Sequence, residues 1–117
     1  DRFSDPKMTL MCWGFECGDG WYPLLDTLCA ALSWDGYDFL HNHVRQDPPV
    51  VVQVKEKFGS LRFYVDGATE ADDATIGFAE LLSGRVCETC GTMNGTYQTQ
   101  GWIRTTCKAC DKEAESI

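Results

Sequence analysis

Four cysteines in the C-terminal third have the types and spacing of a metal site. Cys87 and Cys90 form one Cys-x-x-Cys pair, Cys107 and Cys110 form a second, and residues 91–106 separate the pairs. Zinc prefers four soft or borderline ligands at tetrahedral angles, and each Cys-x-x-Cys turn places two thiolates on one side of the ion. The spacing therefore predicts a structural zinc ribbon over about residues 85–111. Two disulfides, or free thiols, are the alternative interpretations of the same pairs.

The residues between the two pairs fit a small ribbon. Gly91 follows the second cysteine and permits the positive φ that a tight knuckle needs. Asn94-Gly95 is a strong turn signal for a hairpin. The apolar face of the ribbon is predicted to come from Tyr97, Trp102 and Ile103. Because four cysteines close the coordination sphere and leave no position for water, the Zn²⁺ is expected to stabilise the fold and not to catalyse a reaction.

A second group of chemically capable residues lies on a predicted β-hairpin, with strands over residues 50–57 and 61–65. Side chains alternate across a strand, so one face is predicted to be core and the other to be exposed. The predicted core residues are Val50, Val52, Val54, Leu61, Phe63 and Val65, and the predicted outer residues are Gln53, Lys55, Lys57, Arg62 and Tyr64. Lys55, Lys57 and Arg62 beside Tyr64 make a candidate site for an anionic ligand. The alternative is a solvated strand face whose charges protect an edge.

A third candidate is the turn formed by residues 17–22, in which Asp19 stands between two glycines and beside Trp21. An aspartate at a helix entry can accept a ligand hydroxyl, and an aromatic ring can stack on a base. The alternative is that Asp19 accepts from the N–H groups of its own turn. The remaining cysteines, Cys12, Cys17 and Cys29, lack knuckle spacing and are interpreted as core thiols. His41 and His43 have no obvious carboxylate partner and are interpreted as surface or loop residues.

The elements that must position these groups define an α+β fold. Leucines at helical spacing predict a first helix over about residues 23–33, with Pro23 in its first turn. A second helix is expected from a Thr69 cap to about residue 83, with Asp72 completing a loose capping box. Its apolar stripe is predicted to be Ala74, Phe78, Leu81 and Leu82. The chain is thus expected to be a small helix–hairpin–helix body over residues 1–84 and a ribbon with a short tail over 85–117, packed as one unit because no linker separates them.

Composition limits the classes of partner. The chain has 117 residues and a net charge of −8, from 18 acidic and 10 basic residues. General duplex binding needs a cationic surface, so nonspecific DNA binding is disfavoured. Residues 1–11 lack the apolar segment of a signal peptide, and no apolar run is long enough to span a membrane. Seven cysteines, an odd number, favour a reducing compartment. These features predict a cytoplasmic protein.

Several segments together resemble a group of small phage and prophage proteins. They are CGDGWY at 17–22, VQVKEKFGSLRFY at 52–64, the Cys-x-x-Cys-Gly knuckle and GWIRT at 101–105, and the likeness covers about residues 17–110. The resemblance implies a phage-encoded protein acting inside a bacterial host cell. It implies no catalytic residue.

The expected function is therefore that of a non-enzymatic accessory binding protein. Small phage proteins of this kind often antagonise host processes, including defence, so we expect either sequestration of an anionic, nucleotide-like ligand or docking on a host protein. A zinc-stapled inhibitor that mimics nucleic acid is an alternative suggested by the net acidity. A small hydrolase acting on a nucleotide is a further alternative, although the chain has no nucleophile elbow, phosphate-binding loop or His-Glu-x-x-His motif.

Overall fold

Two helices and two small antiparallel sheets make up the part of the chain that the computed structural model describes, namely residues 17–33, 45 and 47–111. The elements are α1 (Tyr22–Ser33), β1 (Val50–Lys57), β2 (Ser60–Asp66), α2 (Glu70–Ser83), β3 (Tyr97–Gln98) and β4 (Thr105–Thr106). This order of helix, hairpin, helix and four-cysteine ribbon confirms the α+β class. Within the described ranges, no helix is long and apolar enough to cross a membrane. The interpretations of Cys12, His41 and His43 concern residues outside those ranges.

Helix α1 forms one wall of the core. It follows a 3₁₀ turn over Asp19–Trp21 and buries Leu25, Leu28, Cys29 and Leu32. This spacing of three and four residues places the four side chains on one face of the helix. Cys29 is therefore a core thiol, as predicted.

The hairpin has the predicted strands, but the prediction of its core face is partly wrong. Val50 and Val52 are exposed, whereas Val51 and Val54 are buried against Leu61 and Phe63. The cause is a β-bulge: Val51 pairs with Val65, but Gln53 pairs with Tyr64, so Val52 is an extra residue in β1. One extra residue shifts the alternation of side chains between the two faces, which strict period-two counting cannot anticipate.

Helix α2 begins as predicted and packs on a different face. The Thr69 hydroxyl accepts from the backbone N–H of Asp72, and the Asp72 carboxylate accepts from that of Thr69, which completes a capping box. The predicted stripe is wrong for Ala74, Phe78 and Leu81, all of which are exposed, whereas Leu82 is partly buried against the core. The residues that face the core are Asp72, Ile76, Ala79 and Ser83.

Polar residues explain why α2 packs with this face towards the core and not with the predicted apolar stripe. Ser83 is fully buried, and its Oγ accepts from the backbone N–H of Leu61 at 2.8 Å. Glu80 accepts from the backbone N–H of Phe63 at 2.9 Å. These bonds satisfy the outer edge of β2, which in a two-stranded sheet would otherwise be left without partners. The helix is thus oriented by the needs of the strand edge as well as by apolar burial.

The ribbon is built on the pairing of β3 with β4, in which Tyr97 lies opposite Thr106. Asn94-Gly95 forms a turn with a Gly95 φ of 69°, although the loop that joins the two strands is residues 99–104. The predicted apolar face is wrong for Trp102, which is 80% exposed, and for Ile103, which is also exposed. The buried strand residues are instead Thr105 and Thr106. A ribbon this short cannot build a sufficient apolar core, so polar contacts must contribute to its stability and a metal staple would suit it.

Candidate metal centre and cationic hairpin face

The four predicted cysteine ligands lie together at the end of the ribbon. The sulfur atoms of Cys87, Cys90, Cys107 and Cys110 all lie within 4.8 Å of one another, and the Sγ atoms of Cys90 and Cys107 are 3.7 Å apart. A tetrahedral site with Zn–S bonds of about 2.3 Å requires sulfur separations of about 3.8 Å. The six described cysteines are free thiols, so the two disulfides of the alternative interpretation are absent from the described residues. The cluster could therefore hold one metal ion.

Backbone N–H groups favour the thiolate form of one cysteine in this cluster. Burial acts to raise the pKa of Cys87, but backbone N–H groups of Cys90, Thr89 and Cys107 point at its sulfur and lower the pKa to about 6. Hydrogen bonding with Cys107 and the other thiols raises the pKa of Cys110 to about 12. Four adjacent sulfurs cannot all ionise alone, whereas a bound dication favours the thiolate at each. The donor set thus fits a soft or borderline metal, and it leaves no ligand position for a reacting water.

The first knuckle is held against the helical body by the turn that precedes α1. The backbone N–H of Gly20 donates to the carbonyl of Glu88 at 2.7 Å, and the N–H of Gly18 donates to the Glu88 carboxylate at the same distance. A Cβ on Gly20 would lie 2.2 Å from the carbonyl oxygen of Cys87. Only glycine permits this close approach. The glycines of the turn therefore serve the contact between body and ribbon.

Trp21 belongs to that contact and not to an exposed ligand site. Its side chain is fully buried, and its Nε1–H donates to the carbonyl of Val86 at 2.8 Å. A ring with no exposed surface cannot stack on a ligand in this conformation. Trp21 thus joins the core to the residue immediately before the metal-binding pair.

Asp19 is exposed, but it lies among other acids. Burial and the neighbouring Asp19 carboxylate, which hydrogen-bonds to Tyr22, raise the pKa of the Tyr22 phenol. Burial, and then the charges of Glu88, Asp19 and Glu56, raise the pKa of the half-buried Cys17 thiol to about 12. The structure therefore does not bring Asp19 into the cationic group on the hairpin. Cys17 packs at the edge of the core as a neutral thiol.

Glu88 is the important residue that sequence reasoning missed. It occupies a variable position inside a Cys-x-x-Cys pair, where no residue type is required by the metal. Burial raises the pKa of its carboxyl group, while the hydrogen bond from Gly18 acts in the opposite direction. The sequence signal was an acid placed beside a knuckle. Elsewhere in the chain, a glycine-rich turn has backbone N–H groups that need acceptors.

The structure does bring together most of the predicted hairpin site. Lys55 lies directly opposite Arg62, Gln53 lies opposite Tyr64, and the Lys55 Nζ is 5.8 Å from the centre of the Tyr64 ring. Lys57 lies at the end of β1, with its Nζ 5.6 Å from the centre of the Phe58 ring. We call Lys55, Lys57, Arg62 and Tyr64 the hairpin face.

The cations of the hairpin face have no carboxylate partners in the described part of the chain. The ion pairs there are Arg45 with Asp72 at 2.7 Å and Arg104 with Asp111 at 3.2 Å. Glu56, next to two of the lysines in sequence, instead accepts from the backbone N–H of Gly59 and closes the hairpin turn. Among the described residues, the hairpin face is thus a cationic region without ion-pair partners, in a chain of net charge −8.

Comparison with known proteins supplies no family for the chain: no protein-family model matches it, and searches of curated proteins and of solved structures gave no significant match. The four-cysteine site and the surfaces that the fold presents are therefore the features that bear on its function.

Proposed function

We propose that the chain is a non-enzymatic binding protein, stapled by a structural Zn²⁺, that holds an anionic ligand on its hairpin face. The observation that carries this proposal is the pairing of Lys55 with Arg62 beside Tyr64, without a described ion-pair partner, in a chain of net charge −8. Unpaired neighbouring cations repel one another, and this repulsion is relieved when an anion binds between them. Arg62 can offer a bidentate fork, and the Tyr64 ring can stack on a planar group.

Zinc is the metal proposed for the cysteine cluster, because four thiolates in tetrahedral arrangement are the typical ligand set of a structural zinc site. Elemental analysis of the protein purified under reducing conditions should give about one zinc per chain. Cys90→Ser should lose the metal and unfold the ribbon, because metal binding and folding are coupled in such small elements. Intact protein that folds with far less than one zinc per chain would refute this assignment.

The physiological setting is proposed from the phage-like motifs in residues 17–110. The protein would act in the cytoplasm of a bacterial host as a phage accessory factor that antagonises a host process, such as defence, by withdrawing a nucleotide-like ligand. Expression in a bacterial host, followed by native mass spectrometry of the purified protein, tests whether such a ligand is retained. A retained nucleotide-like mass supports sequestration. A ligand that is converted during incubation would indicate the hydrolase alternative instead.

Charge reversal tests the hairpin face itself. Lys55→Glu and Arg62→Glu should each weaken the binding of the retained anion by at least about tenfold, since a charged hydrogen bond contributes about 1.5–3 kcal/mol. Lys108→Glu makes the same change of charge on the ribbon and should leave the affinity unchanged once its metal content has been verified. Equal affinities for all three variants and the parent protein would exclude the hairpin face as the binding site.

Docking on a host protein is a second candidate, favoured by exposed apolar side chains on the ribbon. Trp102 is 80% exposed, and Met93 is also exposed. Tryptophan is enriched among the residues that dominate protein–protein binding energies. A host protein captured in stoichiometric amount by the parent chain, but not by Trp102→Ser, would favour docking. If the chain also competes with nucleic acid for binding to that host protein, the inhibitor that mimics nucleic acid would be favoured.

A further inference from the structure

A cleft of about 710 Å³ lies where the hairpin turn, α2 and the start of the ribbon meet. Its lining includes Phe58 in the turn, Arg62 on β2, Glu80 and Leu81 on α2, and Arg85 directly after α2. Sites for cofactors and drug-sized ligands have volumes of about 300–1,000 Å³. The cleft is therefore large enough for a ligand such as a mononucleotide, and much larger than a single ion needs.

Two guanidinium groups provide the positive charge of the cleft. The Nε of Arg62 is buried and has no hydrogen-bond partner in the described structure. Neither Arg62 nor Arg85 takes part in the ion pairs found among the described residues, whereas Arg45 and Arg104 both do. A buried donor without a partner is costly, and an anion with several acceptor oxygens removes that cost. Arginine forks match the oxygens of a phosphate as well as those of a carboxylate.

The other donors of the cleft are already used within the fold. The hydroxyl of Ser60 donates to the carbonyl of Lys57, and the amide of Gln98 donates to the carbonyl of Gly84. The hydroxyl of Thr96 likewise donates to the backbone of the ribbon. A ligand therefore meets its free donors at the two arginines, and its anionic group is expected to bind there.

Glu80 offers the complementary acceptor. Its Oε2 accepts from the N–H of Phe63 at 2.9 Å, and no partner for its Oε1 is found in the described part. A carboxylate oxygen accepts from hydroxyl or amino groups, both of which a nucleoside carries. The cleft thus combines donors for a phosphate with an acceptor for the sugar or base.

Phe58 supplies an apolar wall at a cost in backbone energy. It has a φ of 56° and is 67% exposed, while Gly59 has a φ of 81°. Two positive φ values define a turn that strongly favours Asn-Gly, and a bulky residue in the first position is unusual. An exposed aromatic ring held in such a conformation points to binding and not to stability. Leu81, 76% exposed, lies on the same cleft.

We propose that this cleft binds a nucleoside phosphate, with the phosphate at Arg62 and Arg85, a sugar or base donor at Glu80, and the base against Phe58 and Leu81. This assignment rests on the proposed binding function and deepens it by naming the ligand class and by adding residues outside the hairpin face. Arg85, Glu80 and Phe58 are the residues that separate the two proposals.

Calorimetry on the zinc-loaded full chain provides the test, with AMP, GMP, CMP and UMP as probes, and with inorganic phosphate and the free nucleosides as separate arms. At least one mononucleotide should bind, and its phosphate and its nucleoside alone should bind at least about tenfold more weakly. Arg85→Gln should weaken binding by about 10- to 100-fold, as expected for loss of a charged hydrogen bond. Lys108→Gln, a matched loss of one charge on the ribbon, should have no effect.

Phe58→Asn gives a second readout that cannot be confused with unfolding. Asparagine is a preferred residue for this turn, so the variant should be as stable as the parent or more stable, yet should bind the mononucleotide several-fold more weakly. If a mononucleotide binds and only Lys55→Gln weakens it, with Arg85→Gln and Phe58→Asn unchanged, the cleft is excluded and the hairpin face stands. If inorganic phosphate or a glutamate-rich peptide binds as tightly as any mononucleotide, the ligand class is wrong. If no mononucleotide binds at millimolar concentration, the cleft assignment is overturned, and the broader proposal then rests on whatever anion co-purifies.

Discussion

Gly20→Ala is expected to separate the helical body from the metal-binding knuckle. The added Cβ would lie 2.2 Å from the carbonyl oxygen of Cys87, 2.6 Å from that of Glu88 and 2.6 Å from the N of Gly91. All three are backbone atoms, so no side chain can rotate away to make room. Because Gly20 also donates to Glu88, the chain must move apart and lengthen that hydrogen bond.

The expected loss of stability follows from two terms. Inserting a methyl group into closely packed surroundings costs about 1–3 kcal/mol. A weakened backbone hydrogen bond costs about a further 0.5–1.5 kcal/mol. The free energy of unfolding should therefore fall by about 2–4 kcal/mol, and part of the strain should appear as weaker metal binding, by about tenfold for each 1.4 kcal/mol.

Urea denaturation followed by fluorescence measures the first effect, and competition with a chromophoric chelator measures the second. Gly77→Ala is the matched control, because a Cβ at this position in α2 meets no atom within 4 Å. Glycine in a helix interior is less favourable than alanine by about 0.5–1 kcal/mol, so this variant should be more stable than the parent. If both variants change stability and metal affinity in the same way, the close contact between turn and knuckle does not hold the two parts together.

Two further substitutions test the polar anchors of α2. Burial acts to raise the pKa of Asp72, but hydrogen bonds from Arg45 and the helix cap lower this pKa below its ordinary value. A depressed carboxyl pKa stabilises the fold above the unfolded-state value of about 3.9 and loses that effect as pH falls through the folded-state pKa. The parent should therefore exceed Asp72→Asn in unfolding free energy by about 1–3 kcal/mol near neutral pH, and the difference should shrink below about pH 4; a difference that is constant with pH would contradict the ion-pair explanation. Ser83→Ala leaves the N–H of Leu61 without its partner and should cost about 1–3 kcal/mol in urea denaturation, whereas the exposed Thr75→Ala should change stability by less than about 0.5 kcal/mol. Equal effects for these two variants would show that α2 does not depend on covering the strand edge.

The four-cysteine cluster and the proposed binding surface are expected to have separate roles in this fold. A four-thiolate site has no open coordination position, so its chemistry is limited to holding the ribbon in shape. The ribbon in turn contributes to the cleft, because Thr96 and Gln98 lie on its lining next to Arg85. Thr105 of the ribbon also hydrogen-bonds to the carbonyl of Gly59 in the hairpin turn. If the cluster holds the proposed zinc, loss of the metal is therefore expected to disturb the proposed binding surface indirectly.

Local sequence patterns predicted the elements well because their causes are local. The Thr69 capping box and the two Cys-x-x-Cys pairs depend on residues three apart in sequence, and their geometry follows from those residues alone. The strand composition of residues 50–57 and 61–65 similarly predicted the hairpin. The faces of these elements were predicted less well. A one-residue bulge at Val52 rotated part of β1, and Phe78 proved exposed because α2 turns Ser83 towards the edge of β2.

The sequence by itself determined the four-cysteine cluster, the α+β order of elements and the cationic character of the hairpin. Tertiary structure alone decided what the remaining motif residues do. Trp21 and the glycines beside it looked like a ligand-binding turn, but a contact with Val86 and Glu88, more than 60 residues away in sequence, turns them into the joint between body and ribbon. The same holds for Arg62 and Arg85, which share a cleft only because α2 packs along β2. Such contacts depend on how whole elements pack, and no local pattern of residue types specifies that packing.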